Sequence, residues 1–325
     1  MRVFIFRRIA HTLALIVVLS YVCFSLVSLM PGDPLELMIA SNPKITSEDV
    51  LRLKEIYGLD QPAYKRYLNW ARTILQGDLG YSRTYKVPVS ELMAPRLINT
   101  FILSLLSLSF ALLIAIPLGI FSAVKPGGKL DTMANLFSFA GISVPSFWLG
   151  LILIIIFAVM LQWLPAGGTQ TLGSVEWGCW RQIGDRLTYL ALPVLSLSLQ
   201  QTGKFFRFIR SGMIEVLSQD YIRTAKAKGL LPWTILWKHA FRNTLIPLIT
   251  VVALSLSGIF SGAVLTEMVF AYQGIGKLVY DSIMANDTNV AMVSFIISVS
   301  MVLLMNLFAD ILYGYADPRV SRELG

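Results

Sequence analysis

Charge is scarce in this 325-residue chain: 14% of its residues are charged, 55% are hydrophobic and the mean hydropathy is +0.67. A water-soluble domain of that balance could not cover its own surface, so the composition points to an integral membrane protein. Histidine is nearly absent. His11 and His239 lie far apart in sequence, which argues against a histidine-based metal or catalytic site. The two cysteines, Cys23 in the first apolar run and Cys179 in a later loop, build no disulfide framework and indicate no redox chemistry. The phosphate-loop pattern G-x-x-x-x-G-K-[ST] is missing. Its nearest imitation, Gly274-Ile275-Gly276-Lys277, lacks the upstream glycine and the following hydroxyl, so the chain does not bind ATP through such a loop. The apolar runs hold no Asp or Glu until Asp310, which disfavours a proton- or sodium-coupled carrier, because such carriers keep costly mid-membrane carboxylates for ion binding. No repeat, low-complexity tract or enzyme constellation emerges.

What the chain does have is apolar length. Runs of about 20 residues, enough to cross a ~30 Å hydrocarbon layer as helix, occur at 9–30, 97–124, 134–161, 187–202, 244–266 and 290–313. They predict an all-α protein with about six transmembrane helices. The fourth run is the weakest, interrupted by Pro193 and made polar by Ser196, Ser198, Gln200 and Gln201. Arg2, Arg7 and Arg8 before the first run resemble the start of a secretory signal. That run is longer than a signal core, though, and Met30-Pro31-Gly32-Asp33-Pro34 offers no small-x-small cleavage site, so it reads as a retained anchor.

The net charge of +8 has a distribution that fits a membrane better than nucleic acid. With the N-terminus inside, the inner segments hold 15 Lys and Arg against 5 Asp and Glu, and the outer loops 12 against 13. That is the positive-inside bias, and the short segments carry it because long loops translocate largely regardless of charge. The stretch 204–242, with eight basic and two acidic residues, is therefore expected in the cytoplasm, as are both termini.

The first outer loop reads as helical. Thr46 and Asp49 mark a helix start, Val50, Leu53 and Tyr57 share a face, and Gly58 stops it. A second helix follows Pro62, with Tyr64, Tyr67, Leu68, Ala71 and Leu75 at helical spacing and Gly77 placed to end it. A cap packed on the bundle and a surface for an external partner both fit. In the later outer loops, Trp163, Trp177 and Trp180 read as interfacial anchors.

The longest basic stretch in the second half is YIRTAKAKGLLPWTILWKHAFRN, 221–243. Ile222, Ala225 and Gly229 give one helix face of small or apolar groups, while Arg223, Lys226 and Lys228 project around it. Gly229 ends that helix, Pro232 starts another turn, and Ile235, Leu236, His239 and Ala240 lead toward the fifth run. From the residues alone, a basic amphipathic helix resting on anionic lipid is the simpler reading, each cation contributing about 1 kcal/mol near the surface. A knob docking into another protein is the other.

A resemblance reverses that order. Tyr221, Ile222, Arg223, Thr224, Ala225, Lys226, Ala227, Lys228 and Gly229, followed by His239-Ala240-Phe241-Arg242-Asn243-Thr244-Leu245-Ile246-Pro247, resemble the cytoplasmic EAA loop of ABC-importer permeases of the dipeptide, oligopeptide and nickel class. The resemblance runs on through Arg7-Arg8, Pro31-Gly32-Asp33-Pro34, Gly58-Leu59-Asp60-Gln61-Pro62, Arg66-Tyr67-Leu68, Gly77-Asp78-Leu79-Gly80, Pro145-Ser146-Phe147-Trp148, Leu164-Pro165-Ala166-Gly167-Gly168 and Asp317-Pro318-Arg319. The chain departs from the general family at three places. Arg223 stands where an acidic residue is usual, Arg242 where many permeases have proline, and Gln273-Gly274-Ile275-Gly276 lacks the proline of PG-x-G.

The resemblance implies a type I ABC importer permease fold in the bacterial inner membrane. It divides the chain into an anchor with its periplasmic loop (1–92), a permease core (93–314) containing the coupling segment 204–243, and a short cytoplasmic tail (315–325). It implies a related second permease, two ATPase subunits carrying ATP and Mg, an external solute-binding protein and surrounding lipid as partners, and no cofactor held by this chain. Residues 221–229 become the ATPase contact, with Gly229 permitting the turn and Ala225 the close packing. Polar candidates for a solute path are Ser143, Ser196, Ser198, Gln200 and Gln201, with Ser104, Ser107 and Ser109 behind them, although hydroxyls in spans more often bond their own helix. A secondary carrier and a non-transporting membrane scaffold stand as the alternatives of another class.

Overall fold

The computed structural model describes residues 2–29 and 61–316. Helix α1 is Arg2–Ser28, α2 is Ala63–Leu75, α3 is Val89–Val124 and α4 is Lys129–Ser143. Next comes α5, Ser146–Leu153, which loosens into a π-helical turn over Ile154–Met160. A 3-10 turn, Ser174–Glu176, precedes α6, Cys179–Leu217, and the short α7, Asp220–Ala227. Pro232–Thr234 and the π-helical turn Ile235–Phe241 feed α8, Arg242–Val269, followed by α9, Ile275–Met284, and α10, Thr288–Ala316. Among the described residues there is no strand beyond an isolated bridge between Tyr81 and Pro88.

Each of the six apolar runs falls on helix. Within α1, α3 and α10 the stretches Ile5–Ser28, Val89–Val124 and Thr288–Leu312 are long and apolar enough to cross a membrane. The third run is not one straight span. α4 and α5 meet at 101°, because Pro145 has no N–H to donate and its ring drives the preceding Val144 out of helical geometry, to φ −89°, ψ 123°. Proline has the opposite outcome in the fourth run. Pro193 sits buried within an unbroken 39-residue α6, and α3 likewise runs on through the exposed Pro95 and the half-buried Pro117; membrane-spanning helices tolerate proline where the freed backbone groups can be satisfied by their surroundings.

The second outer-loop helix forms as its spacing predicts. It ends where Gln76 caps it and Gly77 turns at φ +88°. Tyr67 and Trp70 pack against Phe24 of α1, with the Tyr67 hydroxyl 2.7 Å from that of Ser20. The predicted helix beginning near Thr46 lies outside the described residues, as does most of the tail.

Two features bring the helices together. Small residues set the contact distances: a Cβ on Gly119 of α3 would lie 2.7 Å from Ile209 Cγ2 of α6, and one on Gly203 of α6 would lie 2.8 Å from the Ser138 carbonyl of α4. Charge fixes one end. Asp310 of α10 pairs with Arg8 of α1 at 3.1 Å, so the acidic residue of the last run meets the basic start of the first.

Candidate functional site

The basic stretch forms α7 and its exit turn. Gln219 and Asp220 open the helix, Asp220 in the first turn suits the positive N-terminal end of the backbone dipole, and Lys226 in the last turn suits the negative end. The helix stops in a Schellman arrangement: the Gly229 N–H donates to the Lys226 carbonyl at 3.0 Å and the Leu230 N–H to the Ala225 carbonyl at 3.3 Å. This needs a left-handed residue, and Gly229 supplies φ +74°.

Ile222 and Ala225 are buried, in a cluster with Phe205, Ile209 and Met213 of α6 and with Ile235 and Ala240. Burying the Ile222 side chain contributes about 2 kcal/mol to holding α7 against the bundle. Ala225 therefore faces its own chain, contrary to the expectation that it offers close packing to a partner. The i, i+3 face that the sequence pattern singles out is the attachment face. What α7 presents outward is Tyr221, Arg223, Thr224, Lys226, Ala227 and Lys228, with Gly229 at its end. The Tyr221 hydroxyl accepts from Asn243 Nδ2 at 3.0 Å, tying α7 to the start of α8. Beside it, Leu231 and Trp233 are exposed, and a cleft of about 500 Å³ opens between Val124, Pro126, Leu217, Lys226 and Leu236.

At the same end of the bundle Asp131 is buried. It accepts two hydrogen bonds from Arg210, from Nε at 2.5 Å and Nη2 at 2.8 Å, together with the Gly127 N–H at 2.8 Å and the Ser122 hydroxyl. At the opposite end Glu267 is fully buried in the last turns of α8. The helix continues past the apolar run 244–266 to Val269, and the carboxylate accepts the Thr100 hydroxyl at 2.5 Å and the Lys277 N–H at 3.0 Å. The only available signal was a carboxylate closing a long apolar run, with the small residues Gly274 and Gly276 soon after.

Comparison with known proteins sets this geometry in a lineage. Residues 115–322 match the family described as binding-protein-dependent transport system inner membrane component, and residues 1–104 match the N-terminal component of the same system. The chain belongs to this family of ABC-importer permeases. The oligopeptide transport system permease protein AppB of Bacillus subtilis is 41% identical over 99% of this chain and 100% of its own length. The di/tripeptide permease protein DppB of Pseudomonas aeruginosa is 36% identical and the dipeptide permease protein DppB of Escherichia coli K12 is 32% identical, each over 98% of this chain and 99% of the relative. A chain of the MetNI methionine ABC transporter, solved in inward-facing conformations, superposes with a TM-score of 0.54 at 17% identity, over 70% of this chain and 97% of that one. The fold is thus that of a type I importer permease, and the protein is a multi-pass inner-membrane protein.

Within this permease three of the six hydroxyls considered for a solute path bond their own helices. Ser107 donates to Leu103 O at 2.7 Å, Ser143 to Phe139 O at 2.8 Å and Ser198 to Leu195 O at 3.1 Å. Ser196 is fully buried and donates at 2.5 Å to the Ser146 carbonyl across the helix boundary. Ser104 Oγ and Gln201 Oε1 are buried without a protein partner, Gln200 is half-buried and Ser109 is exposed. An outward cleft of about 510 Å³ is lined by Asn99, Gln170, Arg186, Tyr272 and Gln273 over an apolar floor.

Proposed function

We propose that this permease is the membrane subunit of an ATP-driven importer for dipeptides, oligopeptides or solutes of similar size. Its α7 is the handle that separate ATPase subunits grip. The observation that carries the reading is the division of α7 into a buried face, Ile222 and Ala225, and an outward cationic face, Arg223, Lys226 and Lys228, on a helix joined to α6 by only two residues. A helix resting passively on lipid would turn its apolar face to the membrane; here that face is occupied by the chain's own core.

In this reading a related second permease completes the path, two ATPases hold ATP and Mg, and an external binding protein delivers solute. The chain itself holds no cofactor, and both termini lie in the cytosol. Closure of the ATPases displaces α7, the bundle opens to one side of the membrane, and hydrolysis resets it. Full-length relatives that carry peptides support the solute class; nickel complexes or glutathione would use the same machinery. Reconstitution with the ATPases and binding protein is expected to give ATP-dependent uptake of a labelled peptide that vanadate blocks. Gradient-driven uptake by the chain alone would favour a secondary carrier, and no vanadate-sensitive uptake with every partner present a scaffold.

A further inference from the structure

Four contacts join α6 to α4 and to the bend that follows it. Asp131 meets Arg210, Ser138 Oγ donates to the Gly203 carbonyl at 2.9 Å, a Cβ on Gly141 would lie 3.1 Å from the Leu199 carbonyl, and Ser196 donates to the Ser146 carbonyl at 2.5 Å. As numbers rise along one partner they fall by nearly the same amount along the other, so this is a continuous antiparallel seam. Both glycines sit where a side chain would push the two backbones apart.

The seam connects two places that matter. At its inner end α6 passes to α7 through Ser218 and Gln219 alone, with the Ser218 N–H bonded to Glu215 O, the Gln219 N–H to Val216 O and the Ile222 N–H to Gln219 O. That link has little slack. At its outer end the 101° bend leads into α5, where Gly150 abuts the Phe270 ring, a Cβ there falling 2.9 Å from Phe270 Cε2. The Phe270 carbonyl in turn accepts the Gly168 N–H at 2.8 Å and closes on Gly167. A displacement of α7 therefore has an unbroken path, through hydrogen-bonded and closely packed groups, to the loops at the opposite end of the molecule.

Resting on the reading of α7 as the ATPase handle, we infer that α4 and α6 move as one lever between that handle and the outer loops. Asp131 and Arg210 are the positioning residues that clasp its inner end. A buried ion pair is a poor source of net stability, since desolvation offsets most of the attraction, but its two-pronged geometry fixes orientation. Asp131 also accepts from Ser122 and Gly127, so the clasp sets the angle of α4 against both α3 and α6.

The test uses the assembled importer in proteoliposomes, with a labelled alanine tripeptide as solute. The double variant Asp131→Asn with Arg210→Met removes both charges and the two-pronged pairing, while the amide can still accept from the Gly127 N–H and bond the Ser122 hydroxyl, so stability is expected to hold. It is expected to keep ATPase recovery, ATP hydrolysis and melting temperature near wild type while uptake per ATP falls about tenfold, within the usual range of coupling effects. Gly203→Ala, which wedges the seam with the clasp intact, is expected to lower the same ratio. Spin labels at Met133 and Lys204, both exposed, are expected to keep their separation between nucleotide-free and vanadate-trapped wild type. The proposal is overturned if that separation changes in wild type, if the double variant keeps its uptake per ATP, or if uptake, hydrolysis and melting temperature fall together. Failure of the handle reading looks different: no ATPase would be recovered with the wild-type chain, before any variant is made.

Discussion

Thr100 and Glu267 stand 2.5 Å apart, hydroxyl to carboxylate, both fully buried and 167 residues apart in the chain. Thr100 Oγ1 in turn accepts the Ile275 N–H at 2.9 Å, and Glu267 accepts the Lys277 N–H, so together they cap the N-terminus of α9. Glu267→Ala strands these donors and is expected to destabilise the protein by about 2–4 kcal/mol. Gly274→Ala is expected to do comparable harm, because its Cβ would fall 2.1 Å from the carboxylate. Thermal melts of the purified protein check both, and a Gly274→Ala protein melting like wild type would contradict this arrangement.

Gly229 has open space around its missing side chain, so only its backbone conformation constrains it. Gly229→Asn, which tolerates the left-handed region, is expected to keep near-normal uptake. Gly229→Val is expected to strain the exit of α7 by about 1–2 kcal/mol. Gly229→Asp is expected to leave the protein inserted while uncoupling transport, because a carboxylate joins a cationic face. Membrane fractionation alongside uptake separates insertion from function, and normal uptake by Gly229→Asp counts against the handle.

The two faces of α7 are expected to respond differently. Arg223→Glu with Lys226→Glu changes only exposed groups, so the melting temperature of the isolated permease should hold while salt-sensitive recovery of the ATPase drops. Ala225→Leu overfills a buried site and is expected to destabilise the isolated permease by about 1–3 kcal/mol. Parallel pull-downs and melts of the two variants distinguish a contact face from an attachment face.

Helix-bonded hydroxyls are poor solute ligands. Ser143→Ala and Ser198→Ala remove donors already committed to Phe139 O and Leu195 O, so competition uptake assays should show unchanged solute preference. A shifted preference in either variant would place that hydroxyl in the path after all.

Much of the fold was legible in the sequence because its signals are local. Apolar runs, the spacing of Tyr64 to Leu75 and the glycine after α7 each act over short stretches, and each marks helix or a helix end, although the third run folds as two helices meeting at 101°. Proline was read less well, because its effect depends on neighbours: Pro145 ends a helix and Pro193 does not. Glu267 and the Asp131–Arg210 pair were missed because their partners lie 167 and 79 residues away, and no periodicity reports such pairings. Several short motifs turn out to encode packing. Gly80 has a left-handed φ of +77° and leaves no room for a Cβ beside Asn289, Gly167 lets the loop reach the Phe270 carbonyl, and Gly274 makes space for Glu267. Ala225 shows the limit of pattern reading: a small, apolar helix face looks the same whether it receives a partner or fastens the helix to its own bundle.

The central claim is that the outward face of α7 is held by an ATP-hydrolysing subunit in the cytosol. Photo-crosslinking amino acids placed one at a time at positions 222, 223, 225, 226 and 228 in native membranes test it directly. The account predicts that an ATPase subunit is captured from 223, 226 and 228, with only crosslinks inside the permease from 222 and 225. Capture of lipid alone from all three outward positions, with no ATPase subunit recovered, would contradict it.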